Sequence, residues 1–337
     1  MPRRFKRRPH GSNWGDFGDD DQLGRLNLIT REARLLAAGE IREGRSFCLS
    51  LPLDFPGGRV LAPHRFPPEI RPTQRHGRNY FNYPLANEGA FADCGCDDQV
   101  LLCTQYSTQW DSLSHIGRLF DVDGDGTREL TYYNGHVADI DVVAPAARKS
   151  SPGTKLGIET IAEACVQGRG VLVDIAAHLG HERRYVGYDD LMQVVDAQQV
   201  VIERGDLLCL HTGFADVVLQ MNRQPDPALL ARSCAVLDGS DGRLLQWISD
   251  SGIAALIADN YAVEGIPSRA TGNNEEEFVP LHVHCLFKLG LPLGELWYLT
   301  ELADWLRNHK RTRFFLTAPP LRLPGAVGSP VTPVATV

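Results

Sequence analysis

No stretch of this 337-residue chain supplies the roughly twenty consecutive apolar residues that a bilayer-crossing helix requires, so no membrane span is expected. It has no glycine-rich phosphate loop and no Gly-x-Ser-x-Gly elbow, which leaves a nucleotide cofactor and a serine hydrolase triad without support. Cysteine is too sparse for a disulfide scaffold. Eight are spread along the chain, most in apolar settings such as Leu208-Cys209-Leu210, and the close pair Cys94-Gly95-Cys96 lacks the second half of a zinc site. A reduced, cytoplasmic protein is expected. Basic surface is also in deficit: 34 basic against 42 acidic residues give a net charge of -8, which disfavours nucleic-acid and anionic-membrane partners. The exception is Pro2-Arg3-Arg4-Phe5-Lys6-Arg7-Arg8, and with no apolar segment behind it a secretory signal is not indicated. Residues 1–20 read as a basic, irregular tail before one domain spanning 21–337.

What is present reads as an α/β core behind a loop-rich first half. Thr30 is placed to cap a helix from Arg31 to Ala38, stopped by Gly39. Residues 45–100 are rich in Pro, Gly and Arg, with short strand signals such as Phe47-Cys48-Leu49-Ser50-Leu51. From about residue 158 helical stretches (Ile158–Gln167, Tyr188–Gln198, Leu244–Ser251) precede apolar runs that read as buried strands, Gly170–Ala177, Asp206–Thr212 and Ile253–Asp259. No internal repeat or hydrophilic linker divides the chain. Asp121-Val122-Asp123-Gly124-Asp125-Gly126-Thr127 begins like a calcium loop, but its twelfth position is Tyr132 where a bidentate glutamate belongs, so a tight turn is expected.

Two polar stretches interrupt the apolar pattern. Thr104-Gln105-Tyr106-Ser107-Thr108-Gln109-Trp110-Asp111 follows an apolar run and reads as a strand. Alternation then sets Gln105, Ser107, Gln109 and Asp111 on one face and Tyr106, Thr108 and Trp110 on the other. His115 follows four residues after the carboxylate. Near the other end, Pro280-Leu281-His282-Val283-His284-Cys285-Leu286-Phe287-Lys288-Leu289-Gly290 has proline where a helix begins and glycine where it stops, and helical spacing turns His282 inward with Leu286 and Leu289. The apolar run after it holds Glu295, whose burial requires a cationic partner or a metal. His211-Thr212-Gly213, Asp259-Asn260 and Glu264 stand at the ends of presumed core strands, where α/β folds build sites.

Together these residues resemble the cyclase family, the metal-dependent hydrolase group that includes bacterial kynurenine formamidase and isatin hydrolase. Gln105 through His115 falls on its signature His-x-Gly-Thr-His-x-Asp-x-Pro-x-His, and Tyr133-Asn134-Gly135, Gly168-Arg169-Gly170-Val171-Leu172-Val173-Asp174 and Pro292-Leu293-Gly294-Glu295 look like its longer members. The resemblance implies the swivelling β/β/α cyclase-like fold, a mixed, barrel-like sheet flanked by helices. It also implies Asp111, His282 and Glu295 as metal ligands and His115 as the catalytic acid/base. Gln105 and Gln109 replace the two histidines that complete a first metal position in two-metal relatives, so they become substrate contacts or weak metal ligands. An amide oxygen binds zinc less well than an imidazole, which argues for one divalent ion, zinc or manganese, or for none.

The activity so implied is hydrolysis of an amide-like C–N bond, as in a lactam, imide or formamide, in a small cyclic or aromatic substrate. The alternatives are a biosynthetic cyclase or dehydratase using the same site and a non-catalytic small-molecule-binding relative. A homodimer or homotetramer is implied as well.

Overall fold

The computed structural model describes residues 4–145, 154–269 and 277–337; Pro2 and Arg3 of the basic run lie outside them. Its centre is a mixed sheet curled into a half-barrel. In chain order the strands are β1 (Ser46–Cys48), β2 (Gln109–Asp111), β3 (Gln167–Asp174), β4 (Leu207–His211), β5 (Ala255–Ala258), β6 (Leu293–Glu295), β7 (Arg313–Thr317), β8 (Gly328–Pro330) and β9 (Val334–Thr336). They lie in the order β1-β9-β7-β3-β4-β5-β6-β2-β8. The middle four, β3 to β6, run parallel, and the pairs outside them are antiparallel.

The parallel strands are apolar over most of their length because both of their faces are covered. On one face Val171, Val173, Leu208, Leu210, Leu256 and Leu293 pack with Leu191 and Val194 of helix Tyr188–Ala197 and Leu244 and Ile248 of helix Gly242–Ser251. On the other, Leu172, Leu207, Cys209 and Ile257 pack with Leu302 and Leu306 of helix Thr300–Asn308. Helix Gly242–Ser251 ends in Gly252, at φ +68, as helix–Gly–strand punctuation predicts. The buried Arg25 guanidinium then donates to the carbonyls of Ile248 and Ser249 in the last turn of the helix.

The expected Thr30 cap forms, its hydroxyl accepting from Ala33 N at 3.1 Å ahead of helix Arg31–Ala38. The strands Gly170–Ala177 and Asp206–Thr212 come out shorter at the carboxyl end, as Gln167–Asp174 and Leu207–His211. In the first case Asp174 stops the strand by capping a helical turn, accepting from Ala177 N. The loop-rich first half carries short paired ribbons, such as Glu69–Pro72 against Asp98–Leu101.

The described part of the amino-terminal segment is anchored to the rest of the chain. Trp14 is fully buried, stacked edge-on against Phe5 and Phe287, and its Nε1 donates to Phe287 O at 2.7 Å. Asn134, in the left-handed region at φ 56, donates to the carbonyls of Gly18 and Asp21 and accepts from Gly15 N. The basic residues find acids within the chain: Arg4 with Asp20 and Asp141, Arg7 with Asp121, Arg8 with Asp16.

Asp141 accepts from Arg4 Nη1 at 2.8 Å and Val137 N at 3.0 Å, and the His136 ring lies 3.7 Å away. Burial alone would raise its pKa, but His136, the Val137 amide and Arg4 outweigh burial and bring it down to about 2. A depressed carboxyl pKa contributes stability above the ordinary value of 3.8, lost as the pH falls through about 2. We expect Asp141→Asn to cost about 1.5–3 kcal/mol at neutral pH, the range for a charge-assisted hydrogen bond. In urea denaturation the gap from the parent protein should close between pH 3.8 and about 2.

Candidate metal centre

Strands β2 and β6 are antiparallel neighbours, with Leu293 opposite Asp111 and Glu295 opposite Gln109. Side chains on one face of such a pair meet across the strands, so this register alone brings Asp111, Gln109 and Glu295 together. Trp110 points to the opposite face, where it meets Trp297 edge-on at 5.1 Å and donates from Nε1 to Ala318 O. The strand is shorter than the sequence predicts. Residues 104–108 form a turn because Ser107 and Thr108 bond to neighbouring loops, Ser107 Oγ to Pro52 O and Thr108 Oγ1 to Leu296 O, while Leu51 N donates to Thr108 Oγ1. Gln105 therefore reaches the site from a turn.

The third residue of the group comes from the helical segment at Pro280. Pro280–His282 is a single α-helical turn that continues as a π-helix through Val283–Lys288, a form that recurs at functional sites. His282 faces the two carboxylates: its Nε2 lies 3.1 Å from Glu295 Oε1 and 3.9 Å from Asp111 Oδ2. One ligand atom from each of Asp111, His282 and Glu295 falls within 4.8 Å of the others. All three are buried.

Glu264 completes the set, and the sequence reading left it without a role. Its Oε1 accepts from His282 Nδ1 at 2.7 Å and from His282 N at 2.9 Å, and its Oε2 accepts from Leu281 N at 3.1 Å. Ala262 and Val263 precede it with φ of 73 and 59, a conformation that is costly for a β-branched residue and that marks functional loops. The hint in the sequence is a charged residue directly after the apolar Ala262-Val263.

Burial disfavours charge on His282, but hydrogen bonds to Glu264 and Glu295 outweigh it and push its pKa up to about 10. Burial also pushes Asp111 up, whereas for Glu295 the opposing effect of His282 wins and its pKa falls. Three buried carboxyl groups thus share one histidine, a set short of positive charge.

The glutamines bind the carboxylates. Gln105 Nε2 donates to Asp111 Oδ1 at 2.5 Å and Gln109 Nε2 donates to Glu295 Oε2 at 2.7 Å. Two buried oxygens stay without a donor, Asp111 Oδ2 and Gln109 Oε1. Orphaned acceptors, excess negative charge and an imidazole nitrogen in one small space fit a divalent cation. His115 lies beside this group: its Nδ1 is 2.9 Å from Gln105 Nε2 and its ring centre 6.4 Å from that of His282. Burial lowers its pKa. Arg65 donates to Gln105 O at 2.6 Å, and a small recess is lined by Arg65, Gln105, Tyr106 and Tyr261. It shares Val60, Leu61 and Tyr261 with a cavity of about 240 Å³ whose wall includes Phe214, Leu230 and Ile266.

Other polar points group elsewhere. His211 Nδ1 meets Asp174 Oδ1 at 2.7 Å, and Asp259 accepts from Thr212 N, Thr212 Oγ1 and Gly213 N. By alternation from Cys209, His211 belongs to the face of the sheet opposite Asp111 and Glu295, so this network clamps strand ends apart from the centre. The Asp121–Asp125 carboxylates also gather, but they accept from Gly124, Asp125, Gly126 and Thr127 amides, the tight turn that was expected.

Comparison with known proteins places this arrangement. Residues 49–265 match the family described as putative cyclase. A solved structure described as a novel cyclase is 33% identical, with a TM-score of 0.75 over 97% of this chain and 97% of that one. Isatin hydrolase A from Ralstonia solanacearum is 16% identical, with a TM-score of 0.53 over 89% of this chain and 93% of that one. Isatin hydrolase A from Labrenzia aggregata, solved with benzyl benzoate, is 15% identical, with a TM-score of 0.53 over 90% and 96%. The last two likenesses carry the fold alone. No curated protein matches the chain.

A carboxylate behind a histidine ligand fixes the ring and raises its basicity. Glu264→Gln should therefore leave the fold intact and weaken divalent-ion binding by about 10–100-fold. Titration of the metal-free protein with zinc or manganese, followed by calorimetry, measures this; unchanged affinity would remove Glu264 from the centre.

Proposed function

Because this chain belongs to the putative cyclase family, we propose that it is a metal-dependent hydrolase cleaving an amide-like C–N bond in a small cyclic or aromatic substrate. The observation that carries the reading is the convergence of Asp111, His282 and Glu295 from remote parts of the chain around two oxygens that have no donor. The fold shared with two isatin hydrolases supports the substrate class. So does the cavity beside the centre, with an apolar wall and the Tyr261 ring for a flat ligand.

Asp111 Oδ2, His282 Nε2 and Glu295 would hold one zinc or manganese ion, with Gln109 Oε1 as a weaker ligand. An ion held there supplies Lewis acidity, acidifying water and polarising a carbonyl. The chain's own residues do the rest. Glu264 holds His282 with Nε2 turned to the site, and Gln105 and Gln109 spend their amide N–H groups on the carboxylate oxygens that face away from it. That expenditure supports one ion rather than two, since those oxygens are already satisfied. His115 is the acid/base residue of the proposal. Assembly as a homodimer or homotetramer, to be read by sedimentation, is part of it.

Elemental analysis of protein purified without added metal is expected to give one divalent ion per subunit. Asp111→Ala should lose both the ion and turnover. His115→Ala should keep the ion and lose about 10²–10⁴ in rate, the range for a positioned acid or base. Turnover that survives in Asp111→Ala would sink the metal reading. Reaction in ¹⁸O-water separates hydrolysis, which incorporates solvent oxygen, from a cyclase or dehydratase reaction, which does not; ligand binding without any turnover would mark a binding protein.

A further inference from the structure

The geometry points to Gln105 as a positioning residue that locks His115 as a neutral imidazole with its proton on Nε2, so that the ring meets a substrate as a hydrogen-bond donor. The argument starts at Asp111. Gln105 Nε2 sits 2.5 Å from Asp111 Oδ1, an acceptor, so the end of the amide facing Asp111 is the NH2 group. That same nitrogen lies 2.9 Å from His115 Nδ1. An amide nitrogen has no lone pair to offer, so the contact is a hydrogen bond only when Nδ1 is the acceptor. The proton of the neutral ring then belongs to Nε2.

Two other states of His115 are penalised by the same contact. The opposite tautomer and the imidazolium both carry a hydrogen on Nδ1, and each would set two N–H groups against one another at 2.9 Å. Rotating the Gln105 amide to relieve the clash would turn its oxygen toward Asp111 Oδ1. That places two acceptors together in a buried site, where Asp111 is fully enclosed. Asp111 thus sets the amide, and the amide sets the ring. The Nε2–H has no partner among the described residues and is free to donate to charge that develops on a carbonyl oxygen, so the lock narrows the role proposed for His115 from proton transfer to hydrogen-bond donation.

This rests on the proposed hydrolase reading for its use but not for its test. Protein labelled with ¹⁵N-histidine, examined by long-range ¹H–¹⁵N correlation with His115→Asn to assign the signals, reports the state of each ring nitrogen. The expected result is an unprotonated Nδ1 and a protonated Nε2 for His115 throughout the neutral pH range. Gln105→Met keeps the chain length and removes both N–H groups; there His115 is expected to populate both tautomers and to become protonated on mild acidification, with kcat reduced about tenfold and folding checked by circular dichroism. A protonated Nδ1 in the parent protein overturns the proposal, as does a His115 spectrum that is the same in parent and Gln105→Met. If the lock is found and no hydrolysis is detected, it is the hydrolase reading that fails.

Discussion

Everything at this site depends on burying three carboxyl groups around one imidazole. Asp111, Glu264 and Glu295 are each cut off from solvent, and His282 lies between them. An arrangement of this kind is unfavourable unless every lone pair is met and the charge is offset. The chain meets most of the lone pairs with its own N–H groups: Gln105 and Gln109 for the outer oxygens of Asp111 and Glu295, and the Leu281 and His282 amides for Glu264. What it leaves unmet, Asp111 Oδ2 and Gln109 Oε1, is where a cation is called for.

The fold makes that burial tolerable by rigid placement. Asp111 and Glu295 stand on paired strands backed by the Trp110–Trp297 contact, and His282 stands on a helical segment whose residues Leu281–Phe287 are buried. The strained Ala262-Val263 backbone turns Glu264 toward it. Strain and unsatisfied acceptors together at one point are the pattern of a site selected for chemistry rather than for stability.

Glutamine at positions 105 and 109, where the family resemblance implies histidine, reverses the direction of the hydrogen bonds there. A histidine at position 105 or 109 would present an imidazole lone pair to an ion; glutamine presents an N–H to a carboxylate. That reversal of donor and acceptor satisfies the outer oxygens without a second cation, and at Gln105 it passes on to His115. The second buried network, around His211, Asp174 and Asp259, shows the contrast: its acids are met by the Thr212, Gly213 and Ala177 amides, and it serves as a clamp on the strand ends.

The local order of this chain was written in its sequence: the capped helix at Arg31–Ala38, the punctuated helix before Gly252 and the apolar parallel strands follow from capping, glycine placement and unbroken hydrophobic runs. The resemblance of Gln105–His115 and Leu281–Glu295 to a known family also singled out the residues now found together. What lay beyond the sequence was every relation between distant segments. It did not reveal that residues 104–108 turn instead of continuing a strand, since that depends on loops at Pro52 and Leu296. Nor did it reveal that Glu264 holds His282, or that the two glutamines face carboxylates, since hydrogen-bond direction is settled only when donor and acceptor are brought within reach. Sequence pattern acts over a turn or a strand; the pairing of β2 with β6, some 180 residues apart, is a product of tertiary packing, and the site exists only there.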